Sequence, residues 1–415
     1  MERRKTKMKK INMGVIGYGQ RGDSLTRAVL LRMDDVNVVA VCDAYADRTE
    51  KAMNDVEEKS GVRPFGSTNY MDVLNHGGLD AVYIATDWET HVEIAIEALK
   101  KGIPTALEVG GAYTIESLWD LVHAQEQTKT PLMFMENCCF GKEELLGTSL
   151  VRHGVLGEVV HCHGCYGHDL CAEIANGERK RHYRLRNYKI RNCENYPTHE
   201  LGPIAKVLNI NRGNQMLSLV SIASKAVGMD AFLDRHKGEY PELDGVRFRQ
   251  GDIVNTLITC ADGSTISLRL DTTLPRYYAR EFTVRGTKGL YEQNTNMVHV
   301  LGDEEGFDTK KMVEKYFNNG AQYEEKYLPP VWGKMTEEQI KAGHGGMDSI
   351  EFRVFVDCLK EGREMPIDVY DAAAWMSITA LSAASIAAGG QVQAIPDFTN
   401  GQWVKRPPMD VVEMD

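Results

Sequence analysis

The residue types best suited to ligand chemistry first occur in a glycine-rich segment near the N-terminus. In VIGYGQRGDSL, Gly17, Gly19 and Gly22 form the pattern Gly-x-Gly-x-x-Gly between a candidate strand and a candidate helix. The first glycine permits a tight turn, the second lets the backbone approach a pyrophosphate, and the helix start offers free N–H groups to negative charge. Asp43 closes the next strand about twenty residues on, where a carboxylate accepts hydrogen bonds from ribose hydroxyls. The combination predicts a dinucleotide site. An acidic residue would repel a 2′-phosphate, so NAD is favoured, while Arg48 leaves NADP open.

A tyrosine and a histidine stand two residues apart in the segment VVHCHGCYGH, as Tyr166 and His168. The segment alternates like a strand, so both side chains share one face. Both residue types can transfer protons to or from a substrate. The alternative is a sheet face with a polar tyrosine tip and a partly exposed histidine, and spacing alone favours that alternative.

A second tyrosine and histidine, Tyr196 and His199, flank Pro197 in the segment YPTHELGPIA. Pro203 fits a helix only in its first turn, so the helix is predicted to begin near His199. A helix start can hold a neutral imidazole or bind an anion. From spacing alone, a capping histidine in a loop and a catalytic histidine are equally supported.

The chain contains nine cysteines, too few for a disulfide scaffold of this length. The segment HCHGCYGHDLC offers the residue types of a zinc site, with another pair, Cys138 and Cys139, upstream. Strand alternation places Cys162 and Cys165 on opposite faces, however, so they could not chelate one ion without a tight knuckle. We therefore predict no metal.

The elements that must position these residues change in character near Asn137. Up to about residue 135, short apolar runs such as NMGVIGYG, VNVVAVCD and LDAVYIAT alternate with helical patterns. Strands separated by helices form βαβ units with a parallel sheet. Residues 1–137 are therefore predicted to be an α/β domain with a doubly wound, Rossmann-type sheet.

The remaining residues, 138–415, are predicted to be an α+β domain with a large open, mainly antiparallel sheet. Residues 245–300 alternate with period two, and Asp262 and Gly263 mark a tight hairpin turn. The alanine-rich run DAAAWMSITALSAASIAAGG is predicted to be a late helix ending at two glycines. Residues 237–245 and 303–345 are predicted to be loops.

The composition is that of a soluble globular protein, with 43% hydrophobic and 26% charged residues. A net charge of -11 without a long basic stripe excludes a nucleic-acid partner. No stretch is long and apolar enough to span a membrane. The start, MERRKTKMKK, has the charge of a secretory signal, but only a short apolar run follows it, so we predict a cytoplasmic protein.

The dinucleotide motif, together with IATDWETHVEIAIEALKKGIPTALEV, resembles the Gfo/Idh/MocA oxidoreductases over nearly the whole chain. The resemblance implies a Rossmann domain followed by a domain with a large open sheet. Glu108-Val109-Gly110 stands where that family usually has Glu-Lys-Pro, so the lysine that assists hydride transfer is missing. His199 and Pro203 stand where the usual Asp-x-x-x-His pair is expected.

At these positions the sequence resembles one branch, the NAD-dependent glycosidases of glycoside hydrolase family 109, typified by α-N-acetylgalactosaminidase. The similarity rests on YGHD, NCENYPTHELGPIAKVLNINRG and GHGGMD. That family carries a Tyr-x-His and a Tyr-Pro-x-His in its active site. The resemblance therefore implies that the matching residues are catalytic: Tyr166, His168, Tyr196 and His199.

The resemblance also implies an unusual hydrolysis. The C3 hydroxyl of the sugar is oxidised by bound NAD, the acidified C2 proton is removed, and the group at C1 leaves by elimination. Water then adds, and C3 is reduced again. We assign His199 as the base for the C3 hydroxyl and Tyr166 as the base for the C2 proton. The paired carboxylates of ordinary glycosidases are not required.

Three further residues are assigned to the sugar. Arg191 and Asn195 precede the second motif and could hold sugar hydroxyls or an N-acetyl carbonyl, and His344 in GHGGMD could close over the substrate. The other basic side chains of this segment are expected in a solvated loop: Arg181, Arg184, Arg186 and Lys189.

The NAD assignment extends beyond the glycine motif. Glu108 ends a strand and is expected to contact nicotinamide or ribose, whereas His91 opens a helix, where capping explains it equally well. The complete set is Gly17, Tyr18, Gly19, Gln20, Arg21, Gly22, Asp43, Thr86, His91 and Glu108. The expected partner is a small-molecule carbohydrate, and the open sheet predicts a homodimer or homotetramer.

Three alternatives stay open. The first is an NAD(P)-dependent sugar dehydrogenase in which His199 replaces the missing lysine as general base. The second is a lyase or hydratase acting on 3-keto sugars, which would use part of the same cycle. The third is a non-catalytic NAD-binding sensor. NAD binding that depends on Asp43, without turnover of any sugar, would support it.

Overall fold

The computed structural model of the protein describes residues 10–302 and 309–415. The chain divides into two compact units, each assembled from segments that are separate in sequence. The first unit comprises Met1–Val109, Asp120–Met135 and Met335–Val369, and the second comprises Gly110–Trp119, Glu136–Lys334 and Tyr370–Asp415. The basic segment MERRKTKMK, on which the secretory-signal interpretation depends, lies outside the described residues. The functional domain boundary between residues 137 and 138 stays a prediction.

The N-terminal part of the chain alternates strands and helices, as its periodicity predicts. The strands are β1 (Ile11–Ile16), β2 (Val36–Cys42), β3 (Phe65–Ser67), β4 (Ala81–Ile84), β5 (Thr105–Glu108) and β6 (Leu132–Met135). The helices are α1 (Gln20–Ala28), α2 (Ala46–Ser60), α3 (Tyr70–Leu74), α4 (His91–Lys100) and α5 (Ile115–Thr128).

The six strands form one parallel sheet in the order β3-β2-β1-β4-β5-β6, which confirms the doubly wound fold. Strands β4, β5 and β6 are buried at every position, as expected for parallel strands covered on both faces. The strand order reverses between β1 and β4. Ligands of such sheets bind outside the carboxyl ends of the strands at this point, and the glycine turn directly follows β1.

The second unit contains the remaining strands and most of the remaining helices. The strands are β7 (Val159–Gly167), β8 (Met216–Ala223), β9 (Ile253–Cys260), β10 (Thr265–Asp271), β11 (Thr283–Gly286), β12 (Gly289–Glu292), β13 (Met297–Val300) and β14 (Gln393–Ala394). The helices are α6 (Lys142–Arg152), α7 (Cys171–Ala175), α8 (Arg184–Ile190), α9 (Thr198–Val207), α10 (Gly228–Arg235), α11 (Thr309–Tyr316), α12 (Ala321–Tyr327) and α13 (Pro330–Gly333). The chain then passes through α14 (Glu337–Lys341) and α15 (Met347–Glu361) of the first unit and continues with α16 (Val369–Ala387).

The eight strands form one mixed sheet in the order β13-β12-β11-β7-β10-β9-β8-β14. Only the pairing of β7 with β10 is parallel among these described strands, so the prediction of a mainly antiparallel sheet is confirmed. The predicted hairpin turn joins β9 to β10, with Gly263 at a φ of +89°. Helix α9 packs on β7 and thereby brings the two tyrosine–histidine motifs next to each other.

The opposite face of this sheet is exposed at alternate residues. On β9, Asn255, Leu257 and Thr259 are exposed, whereas Thr256 and Ile258 between them are buried. This is the open face from which a homo-oligomer is expected, and the oligomer stays a prediction. The described residues include no helix with the length and apolarity needed to cross a membrane.

The prediction of a loop over residues 303–345 is wrong for its described part, which forms helices α11 to α14; residues 303–308 lie outside the described residues. These helices are short, and α12, α13 and α14 bury no side chain completely, so they carry little apolar periodicity. Local capping defines α14 instead, through a capping box between Thr336 and Gln339. The late alanine-rich helix is confirmed as α16, and Gly389 and Gly390 follow it with positive φ.

The predicted helix start near His199 is confirmed, because α9 begins at Thr198. The restriction of Pro203 to the first turn is wrong, since this residue lies in the interior of α9. A proline there has no N–H to donate to the carbonyl of His199 one turn earlier. Burial of nearly the whole helix compensates for the missing hydrogen bond.

Candidate active site

The glycine turn after β1 has the geometry of a dinucleotide cradle. Gly17 has a φ of +97°, and a Cβ on it would lie 2.5 Å from the carbonyl oxygen of Ala85. A Cβ on Gly22 would lie 2.0 Å from the carbonyl oxygen of Gly17, so α1 can start close to β1 only with glycine there. Gly19, the residue before α1, faces open space apart from a guanidinium nitrogen of Arg48 at 3.6 Å. The turn therefore leaves the helix start open to a phosphate.

Asp43 is held against this turn by the backbone. Its Oδ2 accepts a hydrogen bond from the backbone N–H of Tyr18 at 2.7 Å, and its Oδ1 accepts one from the N–H of Tyr45 at 3.0 Å. The side chain is nearly buried, and Arg48 approaches Oδ2 to 3.9 Å. The carboxylate is thus fixed at the carboxyl end of β2, where a ribose of a dinucleotide would lie.

The remaining predicted cofactor residues of the first unit surround the same strand ends. Thr86 follows β4, and within the described residues its buried hydroxyl has no hydrogen-bond partner, so it is available to a ligand. His91 is buried as the first residue of α4, and Gln20 is the exposed first residue of α1. An open cradle, an anchored carboxylate and an unused buried hydroxyl together fit NAD.

An ionic network with buried carboxylates connects the dinucleotide turn to residues far along the chain. Arg21 contacts Glu108 through Nε at 3.1 Å and Asp348 through Nη2 at 2.9 Å. Tyr83 donates to the same Glu108 oxygen at 2.8 Å, and Nδ1 of His344 lies 2.8 Å from Asp348. Burial opposes the charge on Arg21, but Glu108 and Asp348 outweigh it and raise the pKa of this guanidinium. His344, predicted to bind substrate, therefore lies in the first unit beside predicted cofactor residues, whereas Tyr83 and Asp348 were missed.

The four residues of the two tyrosine–histidine motifs come together in the second unit. The hydroxyl of Tyr166, on β7, lies 3.2 Å from Nδ1 of His168, and the hydroxyl of Tyr196 lies 3.3 Å from Nε2 of His199. The rings of Tyr166 and Tyr196 are 4.7 Å apart between centroids. Two potential proton-transfer pairs therefore lie side by side.

A buried glutamate that the sequence analysis missed completes one of these pairs. Oε1 of Glu136 lies 2.7 Å from Nδ1 of His199 and accepts a hydrogen bond from the backbone N–H of Cys138 at 3.1 Å. Burial alone would raise the pKa of this carboxyl, but the charge and hydrogen bond of His199 bring it below its usual value. When the imidazole is neutral, the carboxylate holds its one ring proton on Nδ1, so that Nε2 carries the lone pair that can accept a proton. The available signal was its position directly after the buried strand β6.

The prediction of a solvated loop is wrong for Arg184. This residue begins α8 and is buried, with its guanidinium carbon 5.0 Å from the ring centroid of Tyr196 and Nε 3.0 Å from Glu173. Arg186 and Lys189 also lie in α8 rather than in a loop, Arg186 exposed and Lys189 half-buried, whereas Arg181 is exposed outside the helix, as predicted. Sequence alone does not separate these arginines, because only the packing of α8 decides which of them points inward.

Burial and the charge of Arg184 set the protonation of the first pair. Both lower the pKa of His168 below its usual value, so its imidazole is neutral at neutral pH. Burial raises the pKa of Tyr166, and Arg184 opposes that rise in part. A neutral imidazole next to a protonated phenol is an arrangement in which the phenol can release its proton to the histidine.

The two other residues assigned to the sugar lie near these elements. Arg191 directly follows α8 and stacks on Tyr113, with its guanidinium carbon 3.2 Å from the ring centroid. Asn195 is buried directly before Tyr196. The uninterrupted register of β7 with β10 keeps Cys162 and Cys165 on opposite faces of the sheet, as predicted.

The fold and these sites define an NAD-binding enzyme of the Rossmann type that acts on sugars. Residues 11–135 match the oxidoreductase family with an NAD-binding Rossmann fold, and residues 140–405 match the C-terminal domain of glycosyl hydrolase 109. The chain belongs to glycosyl hydrolase family 109. The family expected from the sequence motifs, and NAD as its cofactor, are thereby confirmed.

Curated relatives match along nearly the whole chain. A glycosyl hydrolase family 109 protein from Stenotrophomonas maltophilia (strain K279a) is 36% identical, covering 97% of this chain and 92% of the relative. An alpha-N-acetylgalactosaminidase from Tannerella forsythia is 35% identical, covering 96% of this chain and 88% of the relative.

Solved structures share the fold at low sequence identity. Levoglucosan dehydrogenase in complex with NADH is 18% identical, with a TM-score of 0.70 over 94% of this chain and all of that one. Myo-inositol 2-dehydrogenase from Lactobacillus plantarum is 15% identical, with a TM-score of 0.66 over 94% of this chain. At this identity the likeness shows the architecture alone.

Proposed function

We propose that the protein is an NAD-dependent glycosidase that releases N-acetylhexosamine from a glycoside, of the α-N-acetylgalactosaminidase type. The observation that carries the proposal is the paired arrangement of two tyrosine–histidine couples, one of them backed by a buried carboxylate. Two proton acceptors serve a reaction that removes protons from two neighbouring sugar positions. The names of two relatives, from Tannerella forsythia and Shewanella oneidensis, support the choice of sugar.

His199 is the proposed base for the C3 hydroxyl. Nδ1–H of His199 donates a hydrogen bond to Glu136 at 2.7 Å, which leaves the lone pair of Nε2 directed toward Tyr196 and available to a substrate hydroxyl. The positive charge that forms on the imidazole is stabilised by the buried carboxylate, as in triads that pair histidine with an acid. The chemistry supplied by NAD when bound is reversible hydride acceptance from C3 of the sugar.

Tyr166 is the proposed base for the C2 proton. Because His168 is neutral, it can take the phenolic proton across the 3.2 Å contact and leave a phenolate. The raised pKa of Tyr166 makes that phenolate a strong base once it forms. With a carbonyl at C3, loss of the C2 proton forms the C1–C2 double bond and expels the aglycone from C1.

Arg184 is the proposed group that stabilises negative charge during this step. Its guanidinium is buried, carries its charge at all accessible pH values, and lies against Tyr196. Its charge lowers the pKa of Tyr166 against the effect of burial and so favours the phenolate over the phenol. Water then adds at C1, the proton returns to C2, and reduction at C3 completes a turnover that consumes no external oxidant.

The test is nuclear magnetic resonance of aryl α- and β-N-acetylhexosaminides, and of the matching hexosides, incubated with the protein in D₂O without added oxidant. Release of the aglycone with deuterium at C2 of the product sugar is expected. An intact glycoside with stoichiometric conversion of NAD to NADH would instead identify a sugar dehydrogenase. His199→Ala is the matched variant: it is expected to retain NAD and to lose turnover.

A further inference from the structure

Three side chains of different chemistry converge in the second unit at the proposed base. A carboxylate oxygen of Glu136, Sγ of Cys138 and a ring nitrogen of His199 all lie within 4.8 Å of one another. Glu136 and Cys138 are buried, and His199 is largely buried. The catalytic proposal uses Glu136 and His199 but gives no role to the thiol.

The local backbone holds this group together. The 3₁₀ turn Asn137–Phe140 begins directly after Glu136, and the hydrogen bond from the Cys138 N–H to Oε1 keeps the glutamate and the cysteine on the same side of the turn. Helix α9 approaches Glu136 at Gly202, where a Cβ would lie 2.6 Å from Cγ of the glutamate. The three donors are therefore positioned before any ligand binds.

One ligand atom of the group makes no hydrogen bond. Oε1 of Glu136 accepts hydrogen bonds from His199 and the Cys138 backbone. The Thr198 hydroxyl also interacts with this carboxylate, but within residues 10–302 and 309–415 the buried Oε2 has no partner at hydrogen-bond geometry. A buried carboxylate oxygen without a partner is costly and indicates a place for a proton donor or a cation. This observation is independent of the spacing of the three side chains.

The donor set selects the kind of ion. Thiolate, imidazole and carboxylate together suit zinc and its neighbours, whereas magnesium and calcium prefer oxygen ligands only. Zinc–sulfur and zinc–nitrogen bonds of about 2.3 and 2.0 Å place tetrahedral ligands roughly 3.5 Å apart. The three atoms lie within 4.8 Å of one another, and the contact between Glu136 and His199 is 2.7 Å, so side-chain movements of about 1 Å would bring all three to that spacing.

We propose that Glu136, Cys138 and His199 bind Zn²⁺ or a similar thiophilic ion, and that this ion inhibits the enzyme. The thiol of Cys138 loses its proton to solvent as the zinc–sulfur bond forms. Coordination through the imidazole nitrogen that faces Glu136 moves the remaining ring proton to Nε2, which can then no longer accept a proton. Ion binding and general-base catalysis by His199 therefore exclude each other.

The binding half of this proposal is tested by titrating the NAD-loaded protein with Co²⁺ and recording the absorption spectrum. A thiolate-to-cobalt charge-transfer band is expected, and added Zn²⁺ should remove it by displacement. Cys138→Ser should lose the band while keeping NAD and its thermal unfolding temperature, and the neighbouring buried Cys139→Ser should keep the band. Absence of the band in the wild type, or its persistence in Cys138→Ser, would overturn the site.

The inhibition half rests on the proposed function and is measured separately. Zn²⁺ should inhibit aglycone release reversibly, with activity restored by EDTA, and each variant is compared with its own zinc-free rate. Cys138→Ser should require at least tenfold more Zn²⁺ for half-inhibition, whereas Cys139→Ser should behave like the wild type. Equal sensitivity of the two variants would overturn inhibition through this site. If no glycoside is cleaved, the proposed function fails, and the cobalt spectrum still decides whether the site binds metal.

Discussion

Nδ1 of His199 lies 2.7 Å from Oε1 of Glu136, although 63 residues separate the two in the chain. The glutamate is fully buried, and attraction to His199 keeps the pKa of its carboxyl below the usual value despite that burial. This contact fixes which imidazole nitrogen carries the proton. It thereby orients the ring for the role of general base that we propose for His199.

Removing the charge of Glu136 while keeping its shape tests this role. Glu136→Gln should lower kcat by about a hundredfold or more, because the imidazolium loses its counter-charge and the ring tautomer is no longer imposed. NAD content after purification should not change. Glu178→Gln, at an exposed position, serves as the matched control. Wild-type kcat in Glu136→Gln would rule out the orienting role.

The charge of Arg184 predicts a shift in the pH dependence of activity. His168 must be neutral to accept the proton of Tyr166, and its lowered pKa places the acid limb of kcat/KM below the usual value for histidine. Because Arg184 contributes to that lowering, Arg184→Met should raise the pKa of His168. The acid limb should therefore move to higher pH.

The measurement is the pH profile of kcat/KM for both proteins, with the exposed Arg181→Met as control. The control profile should coincide with that of the wild type. An acid limb that stays in place in Arg184→Met, or moves to lower pH, would contradict the electrostatic role assigned to the guanidinium.

Two buried carboxyl groups, one on each side of His199 in the sequence, predict how stability depends on pH. Burial raises the pKa of Glu194 and of Glu200, and each carboxyl is further affected by the other. Each group binds its proton more tightly in the folded than in the unfolded chain. The contribution of this pair to the free energy of unfolding is therefore greatest at acidic pH. It falls as the pH rises above the ordinary glutamate range.

Glu194→Gln, which imitates the protonated form, should reduce that fall and stabilise the protein by on the order of 1 kcal/mol at mildly alkaline pH. Denaturant unfolding of both proteins at several pH values measures the effect. A variant whose stability falls with pH as steeply as the wild type would show that Glu194 is ionised in the folded protein.

Asp43 is expected to govern cofactor affinity. Asp43→Ala removes a carboxylate that the backbone N–H groups of Tyr18 and Tyr45 hold in place. Loss of its charge-assisted hydrogen bonds to a ribose should weaken NAD binding by roughly ten- to a hundredfold. Isothermal titration of protein stripped of cofactor measures the affinity, with Glu58→Ala on α2 as control. Unaltered affinity would refute the ribose assignment.

The parts of this protein that sequence alone predicts are those decided by neighbours along the chain. The glycine turn, the alternation of strands and helices, and the shared face of Tyr166 and His168 follow from local sterics and from periods of two and 3.6 residues. The family motifs added the second pair, Tyr196 and His199. These features need no knowledge of which segments meet.

Only the tertiary structure decided which distant groups share a site. Glu136 meets His199 because the turn Asn137–Phe140, which directly follows the glutamate, packs against α9, and Arg21 meets Asp348 although 327 residues separate them. Arg184 and its exposed neighbour Arg186 are alike in sequence, and the packing of α8 alone buries one of them. Periodicity describes the faces of single elements, but long-range contacts depend on how buried surfaces pack together, and that packing determines where a charge is desolvated and paired.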